Sequence, residues 1–393
     1  MARNLPLDGV RVVELAGMIP GPYATMLMGD LRADVVKVEA PDGGDYQRHF
    51  GPETDGVNHR FATYNRNKRS VAIDLKTEKG HQILLDLLAQ SDVVLESFRP
   101  GVVDRLEIDH ETVTSVNPEI VYCSLSGYGQ SGPYRDWPGH DVNYLGIAGL
   151  MDMTGQSDGP PTAPGYPIAD FAGGLVSAFA IMAALRHSDQ TGEGEYIDVS
   201  MTDIVTSWAT QLLPLVMADA DPTRGKTLVS GNNPTYNVYE CADGKYITIG
   251  ALEPQFWEDL CSALGLDEFA TADLDDEDIR AEVFEVLERT FATRTRDEWL
   301  ETLDTSTVPV APVNSVAEAL QDDTQVQHRD LLVHLDDTPD DLLLMDSPFQ
   351  MGSNPDTVRE PAPGHGDDTD ELLDQLGYEA EQRAELRSNG ILR

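Results

Sequence analysis

The 393-residue sequence is short of positive charge: 27 Lys and Arg stand against 69 Asp and Glu, a formal net charge of -42. Lysine is confined to Lys37, Lys68, Lys76, Lys79, Lys226 and Lys245. Such a deficit argues against nucleic acid as a partner, because a phosphate backbone is met by a basic face. Cysteine is scarce as well. Cys123, Cys241 and Cys261 are odd in number, far apart and without metal-ligand or redox spacing, which supports neither a disulfide framework nor a zinc site. No uncharged apolar run of about 18 residues is present, and the start MARNLPLDGVRVVEL has no apolar signal region, so no membrane is expected and the chain is expected to be cytoplasmic. Low-complexity tracts and internal repeats are missing too. With 40% hydrophobic residues the chain has ample material for a real core, and its length fits about two or three domains.

The acidity that remains is not a tail. DEF, DLDDED, DTPDD and HGDDTDELLD are scattered over segments that otherwise look folded. Such a surface repels itself in dilute buffer, whereas at about 1 M salt the Debye length contracts to about 3 Å and screens the repulsion. The composition reads as that of a halophile's cytosolic protein.

The first two hundred residues alternate Val- and Ile-rich runs with helical ones. VRVVELA (10–16), ADVVKVEA (33–40), SVAIDLK (70–76), SDVVLESF (91–98) and PEIVYCSLS (118–126) read as strands, most of them buried on both faces. Helices are expected over 23–31 and 78–90, the latter with Ile83, Leu84, Leu87 and Leu88 at helical spacing. This alternation predicts an α/β fold with a mostly parallel sheet, whose ligands sit at the carboxyl ends of the strands. DFAGGLVSAFAIMAALRH reads as a helix apolar all round, buried in a large core, followed by a strand EYIDVSM and a helix over about 202–217. YNVYECADGKYITIG is a hairpin signal, and helices near 254–264, 276–292 and 296–304 follow. Residues 1–224 are therefore expected to form a large α/β domain, 225–325 a smaller α+β domain, and 326–393 a segment returning to the large one.

SGYGQSG carries the literal G-x-G-x-x-G spacing, yet Pro133, Pro138 and Gly139 forbid the helix that a dinucleotide fingerprint must open, so it reads as a loop. Arg60, Arg66, Lys68 and Arg69 cluster in RFATYNRNKRS, and Arg99 ends a strand in ESFRPG. These cations could hold the phosphates of an anionic ligand or pair with the abundant carboxylates. His140 and Asp141 stand side by side in GHDVNY. Asp170, in IADFAGGL, suits a helix N-cap, and Gly173 and Gly174 would let a substrate approach it. Glu253 ends a strand just before Pro254; a buried glutamate there needs a partner, and a histidine is one candidate.

ELAGMIPGPYATMLMGDLRADVVKVEAP, NRNKRSVAIDLK, SFRPGVVDRL, SGYGQSGPY, GHDVNY, IADFAGGL and YECADGKYITIGALEPQFW together resemble the class III CoA-transferase superfamily (CaiB/BaiF type). That superfamily includes formyl-CoA transferase, carnitine CoA-transferase and α-methylacyl-CoA racemase. The resemblance runs from about residue 5 to residue 325. It implies a Rossmann-like large domain with a small domain, an interlocked homodimer, and an acyl-CoA thioester substrate bound in a groove of the large domain. Coenzyme A then arrives as part of the substrate, and no permanently bound cofactor is expected. By motif position Asn65, Arg66, Asn67, Lys68 and Arg99 would meet the nucleotide and phosphates. Lys68 is expected at the surface, where its loss would weaken binding and spare the fold. Ala40 departs from the arginine that many relatives carry after the V-K-V-E strand.

Within the superfamily, transferases use an aspartate matching Asp170 as a nucleophile, whereas racemases pair it with a histidine matching His140. GHDVNY with ALEPQF looks like the racemase branch, with Asp141 and Glu253 matching the residues that support the histidine. VSGNNP departs from the glycine run of formyl-type transferases. The resemblance therefore implies an α-methylacyl-CoA racemase that abstracts and returns an α proton through an enolate, whose oxygen would be held by amides at the helix start beside Asp170. The alternative it leaves open is a CoA-transferase working through an acyl-aspartate at Asp170.

Because the charge is spread over folded segments, folding and activity should require salt on the order of 1 M. Thermal melts in about 0.1 M and about 2 M potassium chloride test this; the midpoint should rise markedly with salt, and an unchanged midpoint contradicts the reading.

Overall fold

The β-branched runs form six strands: β1 (Arg11–Leu15), β2 (Asp34–Glu39), β3 (Lys68–Ala72), β4 (Val93–Glu96), β5 (Val121–Ser126) and β6 (Glu195–Ser200). They pair in parallel in the order β3-β2-β1-β4-β5-β6. This computed structural model describes residues 5–335, 338, 342–354 and 356–393, so most of the DTPDD run lies outside the described residues. Val12, Val13, Val36, Val71, Val94 and Val121 are fully buried, as strands covered by helices on both faces require. β3 starts earlier and stops sooner than its Val and Ile suggest. Ile73 leaves the parallel ladder for an antiparallel bridge to Leu392, and the Asp74 amide donates to the Ile391 carbonyl.

The chain splits into two compact units, residues 1–148, 165–208 and 327–393 in the first and 149–164 and 209–326 in the second. In the first unit α1 (Pro20–Asp30) opens on prolines, which suit the first turn of a helix because the amides they lack would be unsatisfied there. α2 (His59–Asn65) and α3 (Glu78–Leu88) follow, each held at its start by a side-chain cap, Asn58 and Thr77. Ile83, Leu84, Leu87 and Leu88 of α3 share a core cluster with Leu372, Leu373, Leu386 and Leu392 near the end of the chain.

α4 (Asp141–Ile147), α5 (Ile168–Thr191) and α6 (Met201–Ser207) complete the elements around the site. By length and composition α5 could cross a membrane, the one such helix among the described residues. It is not buried all round as its composition suggested. Ala172, Gly173, Ser177, Ala178 and Ile181 face the protein, whereas Leu175 and Phe179 are 54% and 74% exposed. Gly174 explains the close packing: an added Cβ would come within 2.6 Å of the Pro20 carbonyl oxygen at the start of α1, and one on Gly173 within 2.7 Å of Met201. These two glycines therefore serve helix packing, not the substrate approach expected of them. The helix expected over 202–217 is broken. α6 ends at Ser207, and a separate short helix, Leu213–Met217, restarts with Pro214 in its first turn.

In the second unit the hairpin Tyr236–Glu240 and Tyr246–Gly250 is extended by Val310–Pro312 into a three-stranded antiparallel sheet. Its core gathers Trp257, Leu260, Phe291 and Trp299 from helices Pro254–Leu264, Glu277–Phe291 and Arg296–Thr302.

Charge, not only hydrocarbon, fills the centre of the first unit. Glu14 on β1 is fully buried and bridges two fully buried ammonium groups, Lys37 Nζ at 2.7 Å and Lys68 Nζ at 2.8 Å. Thr25 Oγ1 on α1 donates to the same carboxylate at 2.6 Å. Lys37 also meets Asp45 at 2.8 Å and the Ala16 carbonyl at 2.7 Å. Lys68 donates to the Pro22 carbonyl at 2.9 Å and to Asn65 Oδ1 at 3.0 Å. Burial opposes ionisation of Glu14, and the two lysines overcome it, holding the carboxyl below its ordinary value. Burial also pulls the Lys68 ammonium down to about 8 against the attraction of Glu14.

Lys68 is thus an interior keystone and not a surface cation. Removing one partner of a buried ion pair leaves an uncompensated charge and costs about 3–5 kcal/mol. Lys68→Ala should therefore lower the unfolding free energy by about that amount, while Lys79→Ala at an exposed position should change it by less than about 0.5 kcal/mol. Denaturant titrations of the two variants in the same salt check this; equal midpoints would show that the cluster carries no stability.

Candidate active site

The loops leaving the carboxyl ends of β1, β4 and β5 converge. Gly17 and Met18 follow β1, Ser97 to Pro100 follow β4, and Gly127 and Tyr128 follow β5. β1 and β4 are neighbours reached by chain running outward in opposite directions, so a crevice opens between their ends. Two hollows occupy this edge. One, of ≈ 320 Å³, is lined by Arg99, Tyr128, Arg135, Trp137, His140 and Asp170 among others. The other, of ≈ 450 Å³, is lined by Ala40, Tyr46, Leu75 and Lys76 among others. Gly17, Met18, Ser97 and Phe98 belong to both linings, which makes the two hollows parts of one groove. Met18 holds a left-handed φ of 65°, uncommon for a side chain of its size, and its carbonyl is pinned by Gln47 Nε2.

His140 and Asp170 reach the smaller hollow from two helix starts. His140 is the N-cap residue of α4, and its backbone amide donates to Asn143 Oδ1 at 3.0 Å. Tyr144 fixes this turn. Its hydroxyl donates to the Gly139 carbonyl at 2.7 Å, and its ring lies where a Cβ on Gly127 or Gly139 would be, 2.5 and 2.7 Å from Cε1. Only glycine fits either position. Asp170 lies in the first turn of α5, two residues inside the helix, and is not its N-cap. The cap comes from elsewhere: Asp141 Oδ1 accepts from the amides of Ala169 at 2.6 Å and Asp170 at 3.2 Å. Asp141 therefore ties the two helix starts together, and among the described residues it makes no hydrogen bond to the imidazole it was expected to support. Two of the helix-start amides expected to hold an enolate oxygen, those of Ala169 and Asp170, are thereby occupied.

Burial, and after it the neighbouring Asp141 charge, push the Asp170 carboxyl up to about 6. Burial also raises Asp141, against the two amides that favour its ionised form. An aspartic acid poised near neutrality, facing a hollow with a histidine, can exchange protons or attack an electrophile at physiological pH.

The expected phosphate cluster is placed differently. Asn65, Arg66, Asn67 and Lys68 are buried, and none lines either hollow. Arg66 makes a two-pronged pair with Asp30 at 3.0 and 2.6 Å. Asn67, at φ 58°, donates to Asp30 Oδ1 and the Thr357 carbonyl and accepts from the amides of Arg359 and Glu360. This stretch joins α1 to residues 357–360. Arg99 does stand exposed on the hollow's wall, with no ion pair among the described residues. Two further cations were not singled out in the sequence. Arg135 lines the hollow with a buried Nε that has no hydrogen-bond partner, and exposed Lys76 lines the other part of the groove. A chain this poor in cations leaves few unpaired, which was the signal available. Glu253 is exposed at the N-cap of Pro254–Leu264 in the second unit, and not buried as its position before Pro254 suggested. SGYGQSG is a loop, with Gly129 and Gly132 at φ 83° and 93°.

Residues 7–369 match CoA-transferase family III. Over 392 residues the chain is 34% identical to the succinate–glutarate CoA-transferase of Agrobacterium fabrum, covering 95% of this chain and 96% of that protein. Over 397 residues it is also 34% identical to the human α-methylacyl-CoA racemase, covering 99% and 98%. The crystal structure of a CaiB/BaiF family protein from Brucella suis superposes with a TM-score of 0.82 at 31% identity, covering 95% of this chain and all of that one. The chain belongs to CoA-transferase family III and is an enzyme of that superfamily, in which it is as similar to a transferase as to a racemase.

Any step in which Asp170 acts as a carboxylate should lose rate as pH falls through about 6, because protonation removes the reactive form. Asp141→Asn removes the neighbouring charge and should move this acid limb to lower pH, while burial keeps it above the ordinary aspartate value. Profiles of kcat/KM against pH for the parent and variant check both; an acid limb at the same pH in Asp141→Asn removes Asp141 as a cause.

Proposed function

We propose that the enzyme is a racemase of 2-methylacyl-CoA thioesters. The observation that carries this reading is that His140 and Asp170, on separate helix starts, line one hollow at the carboxyl edge of the sheet. A proton α to a thioester is weakly acidic, so its removal needs a positioned base, and inversion needs a second group to return the proton on the opposite face. His140 takes one face and Asp170 the other; the group that removes the proton in one direction returns it in the reverse direction. Asp141 sets the distance between the two by capping α5 from the first turn of α4. Arg99 and Arg135 supply positive potential toward the developing enolate, in place of the occupied amides. The coenzyme A portion lies along the groove, its anionic groups drawn to Arg99 and Lys76, while Asn65 to Lys68 brace the groove from beneath.

A second reading is CoA transfer, in which Asp170 attacks the thioester carbonyl, forms an acyl-aspartyl anhydride and releases the CoA thiolate. It is favoured by equal similarity to a named transferase and by a carboxyl that faces the hollow without an ion-pair partner among the described residues. His140 separates the two. For a racemase, His140→Ala should lose roughly 10²-fold or more in rate, the scale of a removed general base. A 2-methylacyl-CoA in deuterated water should also acquire deuterium at its α carbon with no acceptor acid present. If hydroxylamine instead traps an acyl group at Asp170 and α-deuterium stays absent, the racemase reading fails and the transferase stands.

A further inference from the structure

Three buried glutamates stand at or one residue before the carboxyl ends of neighbouring strands: Glu14 on β1, Glu39 on β2 and Glu96 on β4. Two of them have cations. Glu14 has its lysines, and Glu39 receives both prongs of Arg48 at 2.8 and 2.7 Å. Glu96 is 1% exposed and makes no ion pair among the described residues. A buried carboxylate without a cation is costly, so its partners indicate what it is kept for. Glu96 Oε2 accepts from the backbone amide of Phe98 at 2.8 Å. Its Oε1 accepts from Ser124 Oγ, directly across the ladder on β5. Ser124 Oγ in turn accepts from Gln130 Nε2 at 2.8 Å. Gln130 belongs to SGYGQSG, and its amide is held by Asp198 of β6 at 3.0 Å.

The donors all run one way, from Gln130 through Ser124 to Glu96, with Phe98 entering from the other side. The chain therefore begins in the loop after β5, which leads to Arg135, Trp137 and His140, and ends in the loop after β4, which carries Phe98 and Arg99. Both loops are walls of the hollow that holds His140 and Asp170. We propose that Glu96 is a positioning residue of the acyl-CoA site, setting the separation of these two walls through Phe98, Ser124 and Gln130. The assignment rests on the reading of that hollow as the thioester site. Burial lifts the Glu96 carboxyl to about 7, against the hydrogen bonds of Ser124 and Phe98, so its partners, not an opposing charge, are what it holds. The groups facing it are Asp104 from the turn Val102–Arg105, Tyr122 and Cys123 on β5, and Tyr196 and Asp198 on β6. Arg135 lines a hollow with Tyr122, Ser124 and Gln130 and makes no ion pair among the described residues.

Steady-state kinetics on a 2-methylacyl-CoA, with α-deuterium exchange as the rate, test the proposal. Glu96→Ala and Ser124→Ala should each raise KM about tenfold, the size of one lost charged hydrogen bond, with kcat within about twofold. The double variant should be no worse than the weaker single, because both break the same chain of contacts. Glu96→Gln, which keeps an acceptor for Phe98, should recover most of the KM. Amide hydrogen exchange over residues 97–101 and 127–133 should quicken in Glu96→Ala and in Ser124→Ala, a readout that needs no substrate. A purely structural role would lower the melting midpoint and leave KM unchanged, and unchanged KM or effects that multiply in the double variant overturn the proposal. If Glu96→Ala does not fold, Ser124→Ala and Glu96→Gln decide it alone. Failure of the parent itself to exchange α-deuterium would count against the functional reading, while faster amide exchange in the variants would still show the coupling of the walls.

Discussion

A carboxylate held between two ammonium groups, all three sealed from water, is the interaction on which the first unit turns. Glu14, Lys37 and Lys68 come from three adjacent parallel strands, near the end of β1, within β2 and at the start of β3, and their side chains meet in the buried centre of the unit. Thr25 brings α1 to the same point, and the carbonyls of Ala16 and Pro22 draw in the chain that leaves β1. Aliphatic packing would hold the strands equally well, but it is indifferent to small slides. A buried ion cluster is not, because each charge is tolerable only when its partner is at contact distance. The loop that carries Gly17 and Met18 into the groove therefore leaves the sheet from a fixed place.

The chemistry grows from the same economy of charge. Asp141 lies close enough to disfavour the ionisation of Asp170, and no ion pair among the described residues relieves it. Two helix amides favour the ionised form of Asp141 against its burial, whereas among the described residues no hydrogen bond does so for Asp170, whose carboxyl is pushed up to about 6. Arg99 and Arg135 line the same hollow, and among the described residues neither pairs with Asp141 or Asp170.

Much of the sheet was legible in the sequence, because Val- and Ile-dense runs such as VRVVEL and ADVVKVE have one economical fate. SGYGQSG could be read as a loop from its prolines alone. The acid and base candidates could be named from motif resemblance, and the hollow brings His140 and Asp170 together. What could not be read was the direction of pairing. The resemblance implied a phosphate site at Asn65 to Lys68, yet the partners of Arg66 and Lys68, Asp30 and Glu14, lie 36 and 54 residues earlier, and no local pattern reveals such a bond. Asp141 as the cap of α5 is a contact of the same kind. Gly173 and Gly174 looked like room for a ligand because sequence cannot show what approaches a glycine; here it is Met201 on one side and Pro20 on the other.

Gly127, Gly139 and Tyr144 have a consequence for how such a site can change over time. The tyrosine ring fills the space that a side chain at either glycine would need, and its hydroxyl closes the turn. None of the three can be exchanged alone: a side chain at either glycine strikes the ring, and a smaller residue at 144 leaves a void behind the histidine. The three positions are constrained as a set. The aromatics beyond them are tied to the same turn: Tyr134 and Trp137 stack on each other at 4.1 Å and both pack on Tyr128, whose ring meets Tyr144 edge-on at 5.1 Å.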